Sequence, residues 1–411
     1  MSFPGSNALH IKQHNLRAIL QSLLQKGPLS RVQLAEQTAL SNTTITNLTA
    51  ELLDLAIIRE DEPPTEVNSH SRRSVGRPRR MLSLAPNARY VIGIHIGIGI
   101  LRVAVFNLCA EMVRNNMTHF AIEEPAAAVL DSIAALVEQT VAEAGLERGL
   151  ILGVGVGASG LVDPQTGVNV LAARLGWRDT PIRAHLEERL NLPVCVDNNV
   201  RTMALGEAIF GAGQNVDLLA FIYGRVGVGA GIVLEGQVFR GSGAGAGEIG
   251  HTIILPEGGE LCRCGQYGCL ETLVSEPVLI REAELLVARE PNGRLAHHWQ
   301  QPDKKPIQAV FAAAREGDSE MIRIIERLSH YLGIALANLV NVLNPELIIL
   351  GGMFAEGSDL ILPTAEATMR EAAFADLGKK VRLCPTTFGW RAGITGAAAL
   401  ALNQFFYEAT L

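Results

Sequence analysis

The sequence predicts an α/β body that follows a small, mostly helical amino-terminal module. From about residue 90 onward, strand-like and helix-like segments alternate, which is typical of an α/β fold. The length of 411 residues is enough for two or three domains. Ten Lys and Arg against seven Asp and Glu give residues 1–84 a net charge of +3, which leaves −10 on the remainder because the whole chain carries −7. A basic module on an acidic body indicates that only the module meets nucleic acid.

Residues 1–84 are predicted to form a winged helix-turn-helix domain. An amphipathic helix over about residues 11–26 ends at Gly27-Pro28, and a short helix over about residues 31–38 follows Ser30, with Gln33 at the capping-box position. Ser41 can cap a third helix, whose expected buried stripe is Ile45, Leu48, Leu52 and Leu55. A generic three-helix bundle is the alternative, but a polar face at the start of the third helix favours base and phosphate contacts. That face consists of Asn42, Thr43, Thr46 and Asn47.

The wing of this domain is predicted from two short strands, at residues 57–58 and 81–84, and the basic loop between them. Five arginines lie within nine residues of that loop without an acidic residue, so the loop can neutralise phosphates. The segment Gly76-Arg77-Pro78 is extended and thin enough for a minor groove. A solvated linker is the alternative. One of the five is Arg80. We expect the other four to contact DNA: Arg72, Arg73, Arg77 and Arg79.

A metal site is predicted between residues 251 and 269. Three of the six cysteines, Cys262, Cys264 and Cys269, fall within eight residues, and His251 lies just upstream. Three thiolates and one imidazole form a closed tetrahedral set of the kind that structural zinc prefers. Free thiols or a disulfide are the alternative. A zinc ion here would fix Glu248 and Glu271 beside it, where two carboxylates can hold the hydroxyl groups of a polyol.

The body is predicted to alternate between buried strands and amphipathic helices. The strands are expected at residues 90–108 (two strands with a turn), 150–156, 192–196, 218–223, 231–234 and 346–350. The helices are expected at residues 126–144, after residue 199, at 321–342 and from 394 to 401.

The string from Gly247 to Glu271 resembles the signature of the ROK family (repressor, open reading frame, kinase). In that family, Glu-x-Gly-His followed by Cys-x-Cys-Gly-x-x-Gly-Cys-x-Glu binds zinc and shapes a sugar pocket. The resemblance covers most of the chain and favours sugar repressors of the N-acetylglucosamine, glucose and xylose type, which have a similar winged helix-turn-helix and Gly-Arg-Pro wing. It implies a two-lobed, actin-like (ribonuclease-H-like) body, with one lobe at residues 85–200 plus 386–411 and the other, carrying the zinc loop, at 201–385. The sugar-binding residues that it implies are Asn198, Asn199, Glu248, His251 and Glu271. The alternative for Asn198 and Asn199 is a plain strand-to-helix turn, and the alternative for Glu248 and Glu271 is support of the zinc ligands only.

The positions of kinase chemistry depart from the family pattern. The first phosphate loop of ROK kinases, Asp-x-Gly-Gly-Thr, is matched by residues 95–99, where His95 replaces the Asp, Ile98 a glycine and Gly99 the Thr. The second loop begins with Arg225 in place of glycine. The catalytic base is matched by Asn199, whose amide cannot accept a proton at neutral pH, and loss of a general base typically costs 10²- to 10⁴-fold in rate. We therefore expect a protein that is not an enzyme.

These observations predict a sugar-responsive, DNA-binding transcription regulator, a repressor of carbohydrate uptake or catabolism genes with structural zinc. The expected assembly is a homodimer, or a tetramer, on an operator that is an imperfect palindrome. No apolar run of membrane-spanning length and no signal-peptide core occur in the sequence, so we expect a cytoplasmic protein without membrane insertion. Two alternatives stay open, which are an active sugar kinase with an added DNA module and a regulator controlled by a protein partner in place of a free sugar. Because Arg174 stands where relatives often have Asn, the identity of the sugar also stays open.

Overall fold

The amino-terminal module begins with three helices whose ends are set by local hydrogen bonds. The structure, a computed structural model, describes residues 8–61, 80–243 and 245–407. The helices are α1 (Ala8–Lys26), α2 (Arg31–Thr38) and α3 (Asn42–Asp54). Ser30 and Gln33 form the predicted capping box at the start of α2, and the Ser41 hydroxyl accepts a hydrogen bond from the Thr44 amide at 3.1 Å. Ala39 ends α2 in the left-handed conformation, which makes the tight turn between the two helices.

Three short strands complete this module: β1 (Leu29–Ser30), β2 (Ile58–Asp61) and β3 (Met81–Leu84). β3 lies in the middle and pairs antiparallel with both neighbours. The two predicted wing strands are thereby confirmed, whereas β1 was not anticipated because two residues carry no periodic pattern. The predicted DNA contacts Arg72, Arg73, Arg77 and Arg79 lie outside the described residues.

The predicted stripe of α3 is right at three positions and wrong at one. Ile45, Leu48 and Leu52 are buried in the module's core. Leu55 is 38% exposed, because the helix ends at Asp54 and Leu55 is its C-cap. The helical period therefore stops predicting burial at that residue.

The body is built from strands and helices in alternation, as predicted. Its strands are β4 (Tyr90–Ile96), β5 (Ile100–Asn107), β6 (Met112–His119), β7 (Ile151–Ala158), β8 (Leu161–Asp163), β9 (Val168–Ala172), β10 (Trp177–Thr180), β11 (Val194–Asn198), β12 (Leu218–Gly224), β13 (Val228–Leu234), β14 (Gln237–Phe239), β15 (Leu347–Gly352) and β16 (Arg382–Pro385). Its helices are α4 (Ala126–Ala144), α5 (Ile182–Leu190), α6 (Asn199–Phe210), α7 (Glu271–Val274), α8 (Glu276–Arg289), α9 (Arg294–Trp299), α10 (Pro306–Arg315), α11 (Ser319–Leu343), α12 (Met353–Glu356), α13 (Ser358–Ala372), α14 (Leu377–Lys380) and α15 (Ala392–Leu402), and a π-helical turn (Asn403–Tyr407) follows.

The body contains the same five-stranded sheet twice. The first sheet has the order β11-β7-β4-β5-β6 and the second has the order β14-β13-β12-β15-β16. In each sheet an antiparallel meander of three strands is extended by two strands that run parallel to the first strand of the meander. This repeat is the two-lobed architecture that the family resemblance implies. We propose the division of the body into residues 85–200 with 386–411 and residues 201–385, since each sheet falls on one side of it.

Several elements of the body were missed in the sequence, among them α5, α8, α13, β14 and β16. For two further misses the physical reason is clear. β6 is an edge strand with several polar and exposed residues, so it lacks a buried apolar run. The small antiparallel sheet β10-β9-β8 is made of strands of three to five residues, which are too short for a clear alternation.

Helices α6 and α15 lie together between the two large sheets. α15 packs on β4 and β7 of the first sheet, α6 packs on β12 and β13 of the second, and the two helices contact each other. Glycines permit this approach. A Cβ on Gly206 of α6 would lie 3.1 Å from the Cα of Gly396 in α15, and a Cβ on Gly155 of β7 would lie 2.0 Å from the carbonyl oxygen of Ala397.

The core of the amino-terminal module is continuous with this central layer. One apolar cluster contains Leu16 and Ile19 of α1, Leu108 after β5, and Phe406 of the π-helical turn. α1 also contacts that turn directly. The structure therefore attaches the module to the body through packed side chains. Across the described part of the chain, no helix combines the length and apolarity that crossing a bilayer demands.

Gly155→Ala is expected to lower the free energy of unfolding by about 1–3 kcal/mol, because its Cβ must displace the backbone of α15. Gly149→Ala is the matched control, since a Cβ there meets nothing within 4 Å, and its effect should stay within about 0.5 kcal/mol. Urea unfolding of both variants checks this, and equal stability of the two would contradict the packing of α15 against β7.

Candidate functional site

A cleft of about 1470 Å³ opens between the two sheets. It is lined from one side by the turn at residues 97–99 and the start of α6, and from the other side by residues 225–230 and the loop before α7. All five residues for which we predicted sugar binding lie on it: Asn198, Asn199, Glu248, His251 and Glu271.

Two of these residues, Asn198 and Asn199, already use much of their hydrogen-bonding capacity within the fold at the start of α6. The Asn198 side-chain oxygen caps α6 by accepting from the amides of Val200 and Arg201 at 2.8 and 3.2 Å, and its nitrogen donates to the Gly160 carbonyl at 2.8 Å. The Asn199 nitrogen donates to the Ser159 hydroxyl at 3.3 Å. Both amides thus hold the junction of strand and helix, and Asn199 is only 8% exposed.

Glu271 is bound on both of its oxygens. Arg174 donates to Oε1 from the opposite side of the cleft at 3.1 Å, and the amide of Val228 donates to Oε2 at 3.1 Å. The side chains of Arg174 and Glu271 are 23% and 13% exposed. The pair therefore joins the two lobes across the cleft, and Arg174 is a site residue whose partner the sequence did not show.

A second contact between the two lobes was missed altogether. Asp197, at the end of β11, is fully buried and receives Arg201 at 2.7 Å and Arg240 at 2.9 Å. Arg240 follows β14 of the other sheet. A single arginine after a short strand carries no sequence signal, although a carboxylate placed in a buried strand does indicate a cationic partner.

The predicted metal ligands come together in one cluster. The ligand atoms of His251, Cys262, Cys264 and Cys269 all lie within 4.8 Å of one another. His251 Nδ1 lies 3.6 Å from the sulfur of Cys262, and the sulfurs of Cys264 and Cys269 are also 3.6 Å apart. In a tetrahedral site with metal–sulfur bonds of about 2.3 Å, neighbouring ligand atoms are about 3.8 Å apart. The cluster therefore has the chemistry and the dimensions to hold a metal ion.

The protonation of the thiols fits the same interpretation. Burial, followed by the neighbouring thiols, raises the pKa of Cys269 to about 12, so this thiol stays protonated at neutral pH without a cation. Hydrogen bonding, with the Gln266 amide as the largest contribution, lowers the pKa of Cys264. A metal ion would supply the charge that stabilises the buried thiolate. Glu248 is exposed and its side chain faces the cleft beside this cluster.

The turn at residues 97–99 is preceded by a buried histidine. His95 is 6% exposed, and a Cβ on Gly393, at the start of α15, would lie 2.5 Å from its Nδ1. Burial, together with the charges of Arg102 and Arg225, lowers the pKa of His95 to about 3. His95 is thus neutral near pH 7, so it does not supply the negative charge that a carboxylate at this position would offer to a metal ion.

Arg225 occupies the other loop of the cleft. Its guanidinium pairs with Glu276 at 3.2 Å and also with Glu356. Two carboxylates therefore lie beside this loop. The matching loop of a ROK kinase binds phosphates, which negatively charged neighbours would repel.

The surface predicted to read DNA is exposed. Asn42, Thr43, Thr46 and Asn47 all face solvent on α3. The Thr46 hydroxyl donates to the Asn42 carbonyl at 2.8 Å, so Thr46 is partly committed to its own helix. Arg80 pairs with Glu60, which separates it from the arginines that we expect to contact DNA.

Comparison with known proteins places these features in one family. The ROK family profile matches residues 91–404. The chain is 28% identical over 400 residues to a xylose repressor of Caldicellulosiruptor bescii, covering 97% of this chain and 98% of that protein. It is 32% identical over 316 residues to a glucokinase of Halalkalibacterium halodurans, covering 77% of this chain and 96% of the glucokinase.

The fold has a solved counterpart over nearly its whole length. The crystal structure of a ROK family transcriptional regulator, a homologue of the Escherichia coli MLC protein, superposes with a TM-score of 0.81 at 30% identity and covers 97% of both chains. The regulators therefore match the amino-terminal module and the body together, whereas the glucokinase covers only 77% of this chain.

Proposed function

The chain belongs to the ROK family, and we propose that it is a sugar-responsive, DNA-binding transcription regulator, a repressor of carbohydrate uptake or catabolism genes, and not a sugar kinase. The observation that carries the proposal is a helix-turn-helix module packed onto a cleft in which the position of the catalytic base is an amide, Asn199. The relatives that match the full length carry names of repressors and regulators, which supports the same conclusion.

We propose that α3 reads an operator. Its exposed polar residues are short enough to reach base edges without bulk, and the capped turn between α2 and α3 gives the docking geometry of a helix-turn-helix. The arginines at 72, 73, 77 and 79 would add phosphate or minor-groove contacts. A homodimer with two such modules, or a tetramer, would require an operator that is an imperfect palindrome.

We propose that the ligand is a sugar or sugar derivative held by the cleft. Glu248 and the second ring nitrogen of His251 are the groups with open hydrogen-bonding capacity, while Glu271, Asn198 and Asn199 offer what remains beside their structural bonds. A ligand that replaced Arg174 on Glu271 would change a contact between the lobes. Regulation follows only if the ligand binds the DNA-competent and DNA-released states with different affinity.

The absence of kinase activity is supported by three replacements. Asn199 cannot take the proton of a sugar hydroxyl, neutral His95 stands at the position of an acidic residue, and Arg225 with its two carboxylate partners occupies the second loop. A metal-bound nucleotide phosphate would meet none of the groups that it needs there.

We propose zinc as the metal of the His251 cluster, in a structural role. Four ligands of this type close the coordination shell, so no open position is left for catalysis. The bound metal would then fix the loop between residues 251 and 269, with Glu248 just before it and Glu271 just after it. Thiolate ligands persist in a reducing compartment, which favours the cytoplasm.

Cys264→Ser is expected to reduce bound zinc from about one ion per chain to well below that, since one of four ligands is lost. Cys264 is exposed, so the change leaves no cavity. Elemental analysis of purified protein measures the effect, and Cys109→Ser, a cysteine outside the cluster, is the control. Equal zinc in both variants would refute the assignment.

Asn199→Asp alone is expected not to restore sugar phosphorylation, because His95 and Arg225 still oppose nucleotide binding. ADP release is measured with ATP, magnesium and a panel of monosaccharides, with an active glucokinase as the positive control. Turnover in the usual kinase range of about 1–100 s⁻¹ by this variant would show that the loops are still competent.

The central test is fluorescence anisotropy on DNA from upstream of the protein's own gene, with and without monosaccharides and their phosphates. Tight binding that one sugar releases is expected. Asn47→Ala should weaken binding by roughly 5- to 150-fold, since a base contact contributes about 1–3 kcal/mol. Asn115→Ala, an equally exposed asparagine on β6, should bind as the unaltered protein does. DNA binding that no sugar changes would favour control by a protein partner, and lack of specific binding would overturn the proposal.

A further inference from the structure

The second lobe contacts the amino-terminal module through an arginine of α1. Arg17 lies against Gln237, the first residue of β14. With its amide oxygen oriented toward the guanidinium, Gln237 accepts hydrogen bonds from Nη1 and Nη2 of Arg17 at 3.3 and 3.0 Å. The same helix packs on the π-helical turn that follows α15, and α15 rests on the first sheet. Both lobes of the body therefore support α1.

Gln237 lies at the tip of a tight β-hairpin. β13 and β14 pair antiparallel, with Leu234 opposite Gln237. The two residues between them, Glu235 and Gly236, have φ angles of +51° and +72°, which is the left-handed pair that a two-residue hairpin turn favours. A turn of this kind fixes the register of the two strands, so the tip keeps its position relative to the rest of the hairpin.

The other end of the hairpin lies at the cleft. β13 begins at Val228, which lines the cleft and whose amide donates to Glu271 Oε2 at 3.1 Å. β14 is followed by Arg240, whose Nε donates to the buried carboxylate of Asp197 at 2.9 Å. Asp197 directly precedes Asn198, the N-cap of α6. The seven residues of β13, at about 3.3 Å each, give a span of roughly 20 Å between the cleft and the tip.

Backbone hydrogen bonds make the hairpin part of the second sheet. β13 pairs with β12 along its whole length, and at the tip the Glu235 amide donates to the carbonyl of Asp217, just before β12, at 2.6 Å. The hairpin must therefore move with the second sheet, whereas the π-helical turn follows α15 on the first. A change in lobe separation then either breaks the contact between Arg17 and Gln237 or rotates α1.

We propose that the hairpin of β13 and β14 passes the state of the cleft to the DNA-reading module through the contact between Gln237 and Arg17. These two are positioning residues, since neither lies on α3 and neither lines the cleft. The inference rests on the proposed function and specifies how the cleft regulates DNA binding. It is separate from the attachment through the π-helical turn, because it joins α1 to the other sheet.

The first test is hydrogen exchange of the full-length protein without ligand or DNA. Gln237→Ala should make the amides of α1 exchange roughly 3- to 10-fold faster, the factor that corresponds to the net contribution of one hydrogen bond. Gln237→Glu is the conservative control. Its carboxylate still accepts from Arg17, so α1 should stay as protected as in the unaltered protein. Equal exchange of α1 in the two variants would overturn the contact.

Arg240→Ala tests whether a change at the cleft end of the hairpin reaches the tip. If Arg240 only holds the local structure, exchange rises in β14 and at Asp197 on β11 alone. The hairpin route predicts faster exchange in α1 as well, and no further rise there when Arg240→Ala is added to Gln237→Ala. Arg281→Ala is the matched control, since it removes an exposed arginine of the second lobe that pairs with Glu260, and it should leave α1 unchanged.

An α1 that does not respond to Arg240→Ala, or that responds equally with and without the Gln237 side chain, would overturn the route. If Arg240→Ala fails to fold, Arg240→Lys decides. It keeps the charge opposite Asp197 but loses the fork of donors, so α1 should exchange faster than in the unaltered protein, and unchanged exchange would again count against the route.

Operator binding separates this inference from the proposed sugar response. Monosaccharides and their phosphates are titrated onto complexes of upstream DNA with the unaltered protein and with Gln237→Ala. A sugar effect on DNA affinity that is at least about fivefold smaller in Gln237→Ala, the lower end of typical allosteric coupling, supports the route, and the same effect in both proteins overturns it. If no sugar releases DNA while α1 still responds to Arg240→Ala, the sugar response fails and the hairpin route stands.

Discussion

The close contact between helices α6 and α15 is the constraint on which the rest of the structure depends. Gly206 and Gly396 allow the two backbones to approach to a distance that any side chain would prevent, and further glycines on β4 and β7 seat α15 against the first sheet. Each helix packs on a different sheet. The repeated sheets are therefore joined through backbone contact, and the cleft opens where the two helices begin.

The contact between α6 and α15 also sets the positions of polar residues in the cleft. Asn199 is the first residue of α6, and Gly393 near the start of α15 lies against the ring of His95. At the other end of α6, the buried carboxylate of Glu207 accepts hydrogen bonds from the amide and hydroxyl of Thr387, each at 3.0 Å, just before α15. A fully buried carboxylate is tolerated only because such donors satisfy it. The two helices are thus joined by this hydrogen-bonded contact as well as by their glycines, and the cleft groups at their starts depend on both.

Much of this was predictable because the relevant signals are local. The capping box at Ser30 and the helix at 126–144 follow from turn chemistry and periodicity, and the His/Cys cluster follows from residue spacing. The two-lobed body was implied by the resemblance to the ROK family. Contacts between residues far apart in the chain were not predictable. Arg174 meets Glu271 and Arg240 meets Asp197 only after the two lobes are placed, and no local pattern encodes that placement. For the same reason, Asn198 could be anticipated only as a ligand-binding residue or a residue of a strand-to-helix turn, while its specific role as the N-cap of α6 became visible with the helix boundary.

The attachment of the DNA module explains how an event in the cleft can reach α3. α15 continues directly into the π-helical turn at residues 403–407, which packs against α1, and π-helical turns often occur at functional positions. α1 in turn contacts α2 of the helix-turn-helix.

Since α15 rests on the first sheet and α6 on the second, a change in lobe separation must be absorbed either at their glycine contact or by displacement of α15 and the turn that follows it. The glycine contact has no side chains to rearrange, and packed interfaces shift between discrete arrangements in preference to deforming gradually. Displacement of the turn, and with it α1, is therefore the lower-cost response. It would change the orientation of the module without any direct contact between the ligand and DNA.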